Sequence, residues 1–314
     1  MTRFQANLVL LLAAALWGSG NVAQKLVLEH LGPLTTVGFR GVLAALVVLP
    51  LAWRENRRAR RFTADDLWLT ARMSILFVLG TVLSQVAYGG TTVTNAGFLT
   101  NTSTIVTPIL VFMVTRIAPG RMVWMSALMT LAGIWLLGGG SWATLTWGDG
   151  VSLAAALAYS MWIIDMCKLA QSTGRPSAAA FIQFVVTAIA GCAIGLPLEP
   201  VTMDGFIAAS PYLLYLGVVS TGLGFALSAI AQACTPAAEA GILMSGESLF
   251  GALAAALLLG ERLGPTTGFG AALIFGAIVL VQLPQDLLVW RAIRMARWLK
   301  TPRRSAPRIS VRMI

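Results

Sequence analysis

Ten apolar runs of membrane-spanning length restrict the folds that this sequence can adopt. A helix needs about 20 apolar residues to cross a hydrocarbon core of about 30 Å. Lipid offers the backbone no hydrogen-bonding partner, and the alternating ten-residue pattern of a membrane barrel does not occur, so the runs predict α-helices. The runs are residues 7–28, 33–53, 68–88, 96–116, 122–139, 151–169, 177–196, 212–234, 237–260 and 267–283.

The composition agrees with an all-α polytopic membrane protein and excludes a large extramembrane domain. Of the 314 residues, 57% are hydrophobic and only 11% are charged, whereas about a quarter of an average soluble chain is charged. Three cysteines and a single histidine without a close cluster predict neither a disulfide framework nor a metal site. Because no HExxH, GxSxG or Walker pattern occurs, we expect neither an enzyme nor a cofactor.

The uneven distribution of basic residues predicts the orientation of the chain. With the N-terminus inside, 18 of the 22 lysines and arginines fall in cytoplasmic segments, and only Lys25 and Arg262 fall outside. Positive charge marks cytoplasmic loops. We therefore expect a bacterial cytoplasmic (inner) membrane protein with both termini in the cytoplasm. The net charge of +10 then reflects topology and attraction to membrane lipid, and nucleic acid is not expected as a partner.

An internal repeat divides the chain into two halves. A shift of 144 residues aligns the third to fifth runs with the eighth to tenth runs without a gap. Each copy has five spans, an odd number, so the second copy must enter the membrane from the opposite side. We predict a first repeat at residues 7–140, an inverted second repeat at 148–283 and a basic cytoplasmic tail at 284–314. Inverted halves can exchange conformations, which provides alternating access to a site at the midplane. Identical pairs include Leu83/Leu227, Ser84/Ser228, Ala87/Ala231 and Gly97/Gly241.

Four short motifs follow one another along the chain. They are Ala15-Leu16-Trp17-Gly18-Ser19, Gly38-Phe39-Arg40, Pro108 in the fourth run, and Leu258-Leu259-Gly260-Glu261-Arg262-Leu263. In this order they resemble the EamA branch of the drug/metabolite transporter superfamily over nearly all of residues 7–283, and in particular amino-acid exporters of the YddG type. The resemblance implies ten transmembrane helices around a central cavity. The chain departs from it where the first half has Ile117-Ala118 opposite Glu261-Arg262.

Glu247 is the strongest candidate for a functional residue. It lies near the middle of the ninth run, where a charge costs about 2.5–3.5 kcal/mol on insertion scales. It could bind a substrate ammonium or carry a proton; alternatively, it is a protonated or paired carboxyl that holds helices together. The 144-residue shift pairs Glu247 with Ser103, and Ser245 with Asn101. The two equivalent helices thus present different chemistry, as a substrate with two unlike ends requires.

Other polar and aromatic residues within the runs are candidates for a substrate cavity. Amide and hydroxyl groups could bind a carboxylate or an amine, and aromatic rings could bind apolar side chains or pack over an ammonium. The same residue types also serve as ordinary packing and backbone-bonding groups. The substrate-binding candidates are Trp17, Asn21, Gln85, Tyr88, Asn101, Ser103, Tyr159, Trp162, Gln232, Ser245 and Glu247.

Three residues are predicted to act structurally. Arg40 could attract anions, but an arginine near the end of a span more often snorkels or ties neighbouring helices. Pro108 should kink the fourth run, and Glu261 closes the ninth. The small-residue spacing of Gly251 and Ala255 is expected to serve packing within one chain, so we expect a monomer.

These observations predict a secondary transporter that exports amino acids, including aromatic and apolar ones. Export of other small metabolites or drugs, and lipid flipping, remain alternatives because the same architecture serves them. An inverted repeat favours alternating access over a channel.

Overall fold

The computed structural model describes residues 1–58, 62–87, 90–91, 96, 99–137, 146–259 and 264–282. Every regular element in these ranges is a helix. Two candidates from the sequence, Tyr88 and Glu261, lie outside the described residues, as does the tail at 284–314.

Helices follow one another along both halves of the chain. The first half contains α1 (Arg3–Val27), α2 (Pro33–Arg58), α3 (Ala64–Ala87), α4 (Ser103–Thr115) and α5 (Arg121–Leu137). The second half contains α6 (Trp147–Thr173), α7 (Pro176–Leu198), α8 (Met203–Gln232), α9 (Ala237–Met244), α10 (Gly246–Leu259) and α11 (Pro265–Gln282). Within α8, the segment Tyr215–Leu223 is a π-helix.

Seven of the helices in the described ranges are long and apolar enough to cross a membrane, namely α1, α2, α3, α6, α7, α8 and α11. The fourth predicted run yields only the shorter α4, because part of that run lies outside the described residues. The fifth run yields the shorter α5, and the ninth is divided into α9 and α10. The chain is therefore a multi-pass membrane protein, and its regular structure is entirely helical across the residues that the structure describes.

Local sequence signals fix where α6 begins and ends. Thr146 and Asp149 form a capping box, in which the Asp149 carboxylate accepts the Thr146 N–H at 2.8 Å and the Thr146 hydroxyl accepts the Asp149 N–H. Such reciprocal bonds satisfy backbone donors that a helix start leaves unpaired. Gly174 ends the helix in the left-handed conformation at φ 63°, which glycine adopts without a steric penalty. Pro176 then starts α7, so the two spans are joined by a tight connection.

The helices α2 and α7 pack together in opposite directions through glycines. A Cβ atom on Gly38 would lie 2.6 Å from the Cys192 backbone nitrogen, and one on Gly41 would lie 2.8 Å from that of Ala188. Gly41 follows Gly38 on α2, whereas its partner Ala188 precedes Cys192 on α7, so the two helices are antiparallel. Since only hydrogen fits at these positions, the glycines set the close approach of the two backbones.

A glutamate at the end of each of these helices binds the start of the other. The Glu199 carboxylate, following α7, accepts the N–H groups of Leu34 at 2.9 Å and Thr35 at 2.8 Å. The Glu55 carboxylate, near the end of α2, accepts those of Ser177 at 3.2 Å and Ala178 at 2.9 Å. We call these the Glu199 clamp and the Glu55 clamp. Both place a negative charge on unpaired donors at a helix N-terminus, which stabilises the helix start.

The two clamps obey the internal repeat. Glu55 and Glu199 are 144 residues apart, the shift that relates the two halves, and the prolines that open α2 and α7, Pro33 and Pro176, are 143 apart. The helices α5 and α11 are a second antiparallel pair: a Cβ on Gly270 would lie 2.7 Å from the Leu137 nitrogen, whereas one on Gly276, later in α11, would lie 3.2 Å from Met129, earlier in α5. In both pairs, helices that the repeat makes equivalent run in opposite directions.

Candidate functional site

The fourth and ninth runs are both interrupted at positions that the repeat makes equivalent. Ser245 forms a turn between α9 and α10, and Asn101 and Thr102 form a turn directly before α4. The amide nitrogen of Asn101 donates to the Ser248 hydroxyl at 2.8 Å, which joins the two interrupted regions. Interrupted helices at corresponding places in two repeats are typical of transporter substrate sites.

Glu247 lies in the first turn of α10, directly after this interruption. Its carboxylate accepts a hydrogen bond from the side chain of Asn21 on α1. The backbones of α1 and α10 pack closely here, because a Cβ on Gly18 would lie 2.5 Å from the Gly251 nitrogen. Glu247 is nevertheless only half-buried and Asn21 is exposed. The carboxylate is therefore anchored to α1, and the N-terminus of α10 favours its negative charge.

Arg40 of α2 contacts two other helices directly and a third through Gln24. Its Nη1 donates to Gln24 Oε1 of α1 at 2.8 Å, and its Nε donates to the Thr221 hydroxyl of α8 at 2.9 Å. Gln24 in turn donates to Gln85 Oε1 of α3 at 2.9 Å. Asn21 and Gln24 are three residues apart and so lie on one face of α1. We call Asn21, Gln24, Arg40, Gln85, Thr221 and Glu247 the central polar network.

Tyr159 of α6 borders this network. Its hydroxyl donates to the Thr81 hydroxyl of α3 at 3.3 Å and lies close enough to Arg40 and Glu247 to interact electrostatically with both. The aromatic ring also packs at 3.0 Å from the position that a Cβ on Gly80 would take. Tyr159 therefore adds a half-buried aromatic group next to the two charged ones.

The π-helical segment of α8 carries one member of the network. It is held to α1 by the bond between the Ser19 and Tyr215 hydroxyls at 2.8 Å, and to α2 by the bond from Arg40 to Thr221. A Cβ on Gly222 would lie 2.9 Å from that of Val47, so the segment packs directly on α2. Short π-helical segments inside α-helices occur frequently at functional sites.

An aromatic cluster fills the core beside the network. The ring of Phe225 lies 4.4 Å from that of Trp17, 4.9 Å from Phe77, 5.6 Å from Trp162 and 6.1 Å from Phe184, between centroids. Trp162 is 1% exposed and donates to Gln183 Oε1 at 2.6 Å. Trp17 is 6% exposed, and its Nε1 has no partner among the described residues. Both side chains are packed, and their roles in substrate binding stay predictions.

The remaining candidates are distributed around this region. The Ser245 hydroxyl donates to the Ile242 carbonyl at 2.6 Å. Gln232 is fully buried and forms a separate group, in which it donates to the Ser228 hydroxyl at 2.6 Å and accepts from the Cys167 thiol at 3.3 Å. Ser103 begins α4, and Pro108 lies within that helix. Of the sequence candidates, Asn21, Gln85, Asn101, Tyr159, Ser245 and Glu247 are grouped around the interruption and the network.

Sequence reasoning missed several polar contacts. Gln24 and Thr221 are ordinary polar residues whose partners lie far away in the sequence. Arg72 of α3 forms a two-bond ion pair with Asp165 of α6, with Nε and Oδ2 2.8 Å apart. Asp165 is 2% exposed. Asp165 could have been predicted from the sequence, because it is an acidic residue inside an apolar run, as Glu247 is.

Comparisons with known proteins agree with the fold and the repeat. The EamA-like transporter family matches this chain twice, over residues 5–139 and 146–283. An uncharacterized transporter of Archaeoglobus fulgidus is 27% identical over 90% of this chain and 87% of its own length. The uncharacterized transporter YwfM of Bacillus subtilis is 25% identical over 92% of this chain and 98% of its own length.

A solved crystal structure supports the fold independently of these sequences. It matches with a TM-score of 0.74 at 16% identity, and the match covers 96% of this chain and all of the other. Since the two family matches together span most of residues 5–283, the chain belongs to the EamA-like transporter family.

Proposed function

We propose that this protein exports amino acids across the bacterial cytoplasmic membrane by alternating access. Its ten spans would form two inverted five-helix repeats around a central cavity. The antiparallel packing of α2 with α7 and of α5 with α11 supports this arrangement, because equivalent helices of inverted repeats must run in opposite directions. The Glu55 and Glu199 clamps support it as well, since each half contributes the same contact in reverse.

The observation that carries the proposal is the central polar network. A carboxylate, a guanidinium, amides and a phenol meet between otherwise apolar helices, at two interrupted runs. Ionisable groups within membrane spans are expensive to keep and mark substrate pathways. An amino acid carries a carboxylate and an ammonium that such groups would bind.

The apolar part of an amino acid would have a partner too. Trp17 lies one helical turn before Asn21 on α1, so its indole adjoins the polar network on the same helix face. The partially exposed ring of Tyr159 lies on the α6 side. This combination supports a substrate range that includes apolar and aromatic amino acids. The relatives are named only as transporters, which agrees with transport and leaves the substrate open.

The experiment is uptake of labelled amino acids into proteoliposomes, with and without an imposed pH gradient. We expect uptake above protein-free vesicles for apolar and aromatic amino acids. The Glu247→Ala variant should lose it, whereas Glu29→Gln, which changes an exposed carboxylate in the α1–α2 connection, should retain it. Absence of uptake for every amino acid would refute the proposal. Movement of labelled lipid between leaflets in the same vesicles would favour a flippase instead.

A further inference from the structure

Two threonines that the internal repeat makes equivalent form the same kind of contact. Thr91 follows α3 and Thr235 follows α8, and the two are 144 residues apart. The Thr91 hydroxyl donates to the Asp149 carboxylate at 2.6 Å, and the Thr235 hydroxyl donates to the Asn7 side-chain oxygen at 3.0 Å. Asp149 and Asn7 lie in the first two turns of α6 and α1, the helices that open the two repeats. Each contact therefore joins one repeat to the other.

The two contacts lie at opposite ends of the bundle. In the proposed topology the third and eighth spans run in opposite directions, so α3 ends on the outer side and α8 on the cytoplasmic side. Asn7 and Thr235, on the cytoplasmic side, are 3% and 0% exposed. On the outer side, a Cβ on Gly148 would lie 2.5 Å from the carbonyl carbon of Gly90, so the segment after α3 packs directly on the start of α6. The two repeats are thus in close contact at both ends.

An ion pair adds to the contact on the cytoplasmic side. The Arg3 guanidinium donates to both oxygens of the Glu239 carboxylate. Arg3 is four residues before Asn7 on α1, and Glu239 is four residues after Thr235, so the ion pair adjoins the hydrogen bond. The Arg3 side chain is 57% exposed, and salt therefore weakens its attraction to Glu239. The 144-residue shift pairs Glu239 with Asn95, so the equivalent position in the first repeat carries no charge.

We propose that these contacts are two latches that open in turn during transport. The inner latch consists of Arg3, Asn7, Thr235 and Glu239, and the outer latch consists of Thr91 and Asp149. This inference rests on the alternating access of the proposed function. When inverted repeats exchange conformations, the contacts between them at one end break while those at the other end hold. Weakening one latch therefore favours the state in which that latch is open and the other is closed.

Two buried positions, one beside each latch, can report which latch is open. Leu10 lies three residues after Asn7 on α1, and Ser152 lies three residues after Asp149 on α6, so each shares a helix face with its latch residue. Both side chains are 0% exposed. A cysteine at either position is covered while its latch is closed and reacts with a maleimide when the latch opens. The rate of labelling therefore measures how often that latch is open.

The first test changes no latch residue in the reporter protein. Leu10→Cys is placed in a chain whose three native cysteines are replaced by alanine. Labelling is measured in detergent at about 0.01 M and about 1 M salt, where the Debye length is about 30 Å and about 3 Å. Because an exposed ion pair contributes little, labelling should rise only about 1.5- to 5-fold at high salt. In Arg3→Gln, which lacks the ion pair, labelling should be raised at both concentrations. A rate that does not respond to salt overturns the assignment of the ion pair to the inner latch.

The second test compares the two latches. Thr235→Val and Thr91→Val each remove one latch hydroxyl and keep the shape of the side chain. Thr235→Val should raise the labelling of Leu10→Cys about 2- to 10-fold and lower that of Ser152→Cys, and Thr91→Val should do the reverse. Thr187→Val is the matched control, because Thr187 is 2% exposed and its hydroxyl donates to a carbonyl within α7. It should change neither rate.

Opposite changes at the two reporters distinguish a latch from a contact that only supports the fold. A hydrogen bond that only supports the fold, once lost, raises labelling nearby or at both ends and lowers it at neither, and this result overturns the proposal. Either valine variant is sufficient by itself, since each predicts opposite changes at the two reporters. The test therefore remains decisive if one of the two variants does not fold.

The labelling requires no substrate, so its outcome is separate from that of the export assay. Opposite changes without flux of any amino acid support the two latches and refute amino-acid export. Flux of amino acids without opposite changes supports export and overturns the latches.

Discussion

Replacing Glu199 by glutamine tests the contact that joins the two halves of the chain. The substitution keeps one carbonyl acceptor but removes the charge that accepts the N–H groups of Leu34 and Thr35. Hydrogen bonds to charged groups contribute roughly 1–2 kcal/mol more than neutral ones, and a charge at a helix N-terminus contributes about 0.3–1 kcal/mol. Because the carboxylate is half-buried, we expect a loss of about 1–3 kcal/mol. For a chain of 314 residues, whose unfolding entropy is about 2.1 cal/mol/K per residue, that corresponds to a fall in Tm of about 1.5–4.5 °C.

The Glu55 clamp provides an internal comparison. Its carboxylate makes the equivalent contact with the start of α7, so Glu55→Gln should lower the Tm by a similar amount. The clamps lie at opposite ends of α2, about 30 Å apart for 20 residues of helix. At that separation the effects should add in the double variant. Thermal unfolding in detergent, followed by loss of soluble monodisperse protein, measures all three, with Glu29→Gln as the control.

Two results would refute this reasoning. If Glu199→Gln has the same Tm as the Glu29→Gln control, the Glu199 clamp contributes nothing to stability. If the double variant is no less stable than either single variant, the Glu55 and Glu199 clamps do not stabilise the fold independently. The equivalence of the two clamps under the 144-residue shift would then not extend to their contributions to stability.

Three further predictions concern the helix contacts and the network. Gly38→Ala should destabilise the protein by about 1–3 kcal/mol, because the new Cβ would lie 2.6 Å from a backbone nitrogen of α7; Gly150→Ala, where nothing lies within 4 Å, should be neutral or slightly stabilising in the same melting assay. Asp165→Asn should lower the free energy of unfolding by about 1–3 kcal/mol, which is less than for a fully buried ion pair because Arg72 is half-exposed. The exchange variant Arg72→Asp with Asp165→Arg should recover part of this stability. An exchange variant no more stable than Asp165→Asn would argue against the ion pair. Glu247→Gln removes the titratable group of the network, so the pH dependence of flux in proteoliposomes should flatten, and an unchanged pH dependence would mean that Glu247 is not the proton carrier.

Parts of the fold and site followed directly from the sequence. Apolar runs identify spanning helices because lipid leaves the backbone no other partner. Glu247 was identified as a candidate because a charged residue in such a run is costly and is therefore expected to have a functional or structural role. The 144-residue shift placed Asn101 and Ser245 at equivalent positions of the fourth and ninth runs. The interruptions at these positions were not predicted, because they have no residue signature.

Other features depend on contacts between distant segments. Glu55 and Glu199 obey the same shift, but both follow the apolar runs, where a carboxylate is ordinary and carries no cost. Arg40 was predicted to snorkel or to tie neighbouring helices. Its contacts with Gln24 and Thr221 join α2 to α1 and α8, but these partners lie far away in the sequence and could not be named from it. The π-helical segment could not be foreseen, because neither its glycines nor its hydroxyls differ from those of regular transmembrane helices.

Counterflow tests the central claim, amino-acid transport by alternating access, most directly. Proteoliposomes are loaded with a high concentration of unlabelled phenylalanine and diluted into a trace of the labelled compound. An alternating-access carrier moves unlabelled substrate out and returns to the inner side with labelled substrate. We therefore predict a transient accumulation of label inside the vesicles above its external concentration, absent from protein-free vesicles and from Glu247→Ala. Label that never exceeds the external concentration, for phenylalanine and for every other amino acid tested, would contradict the account.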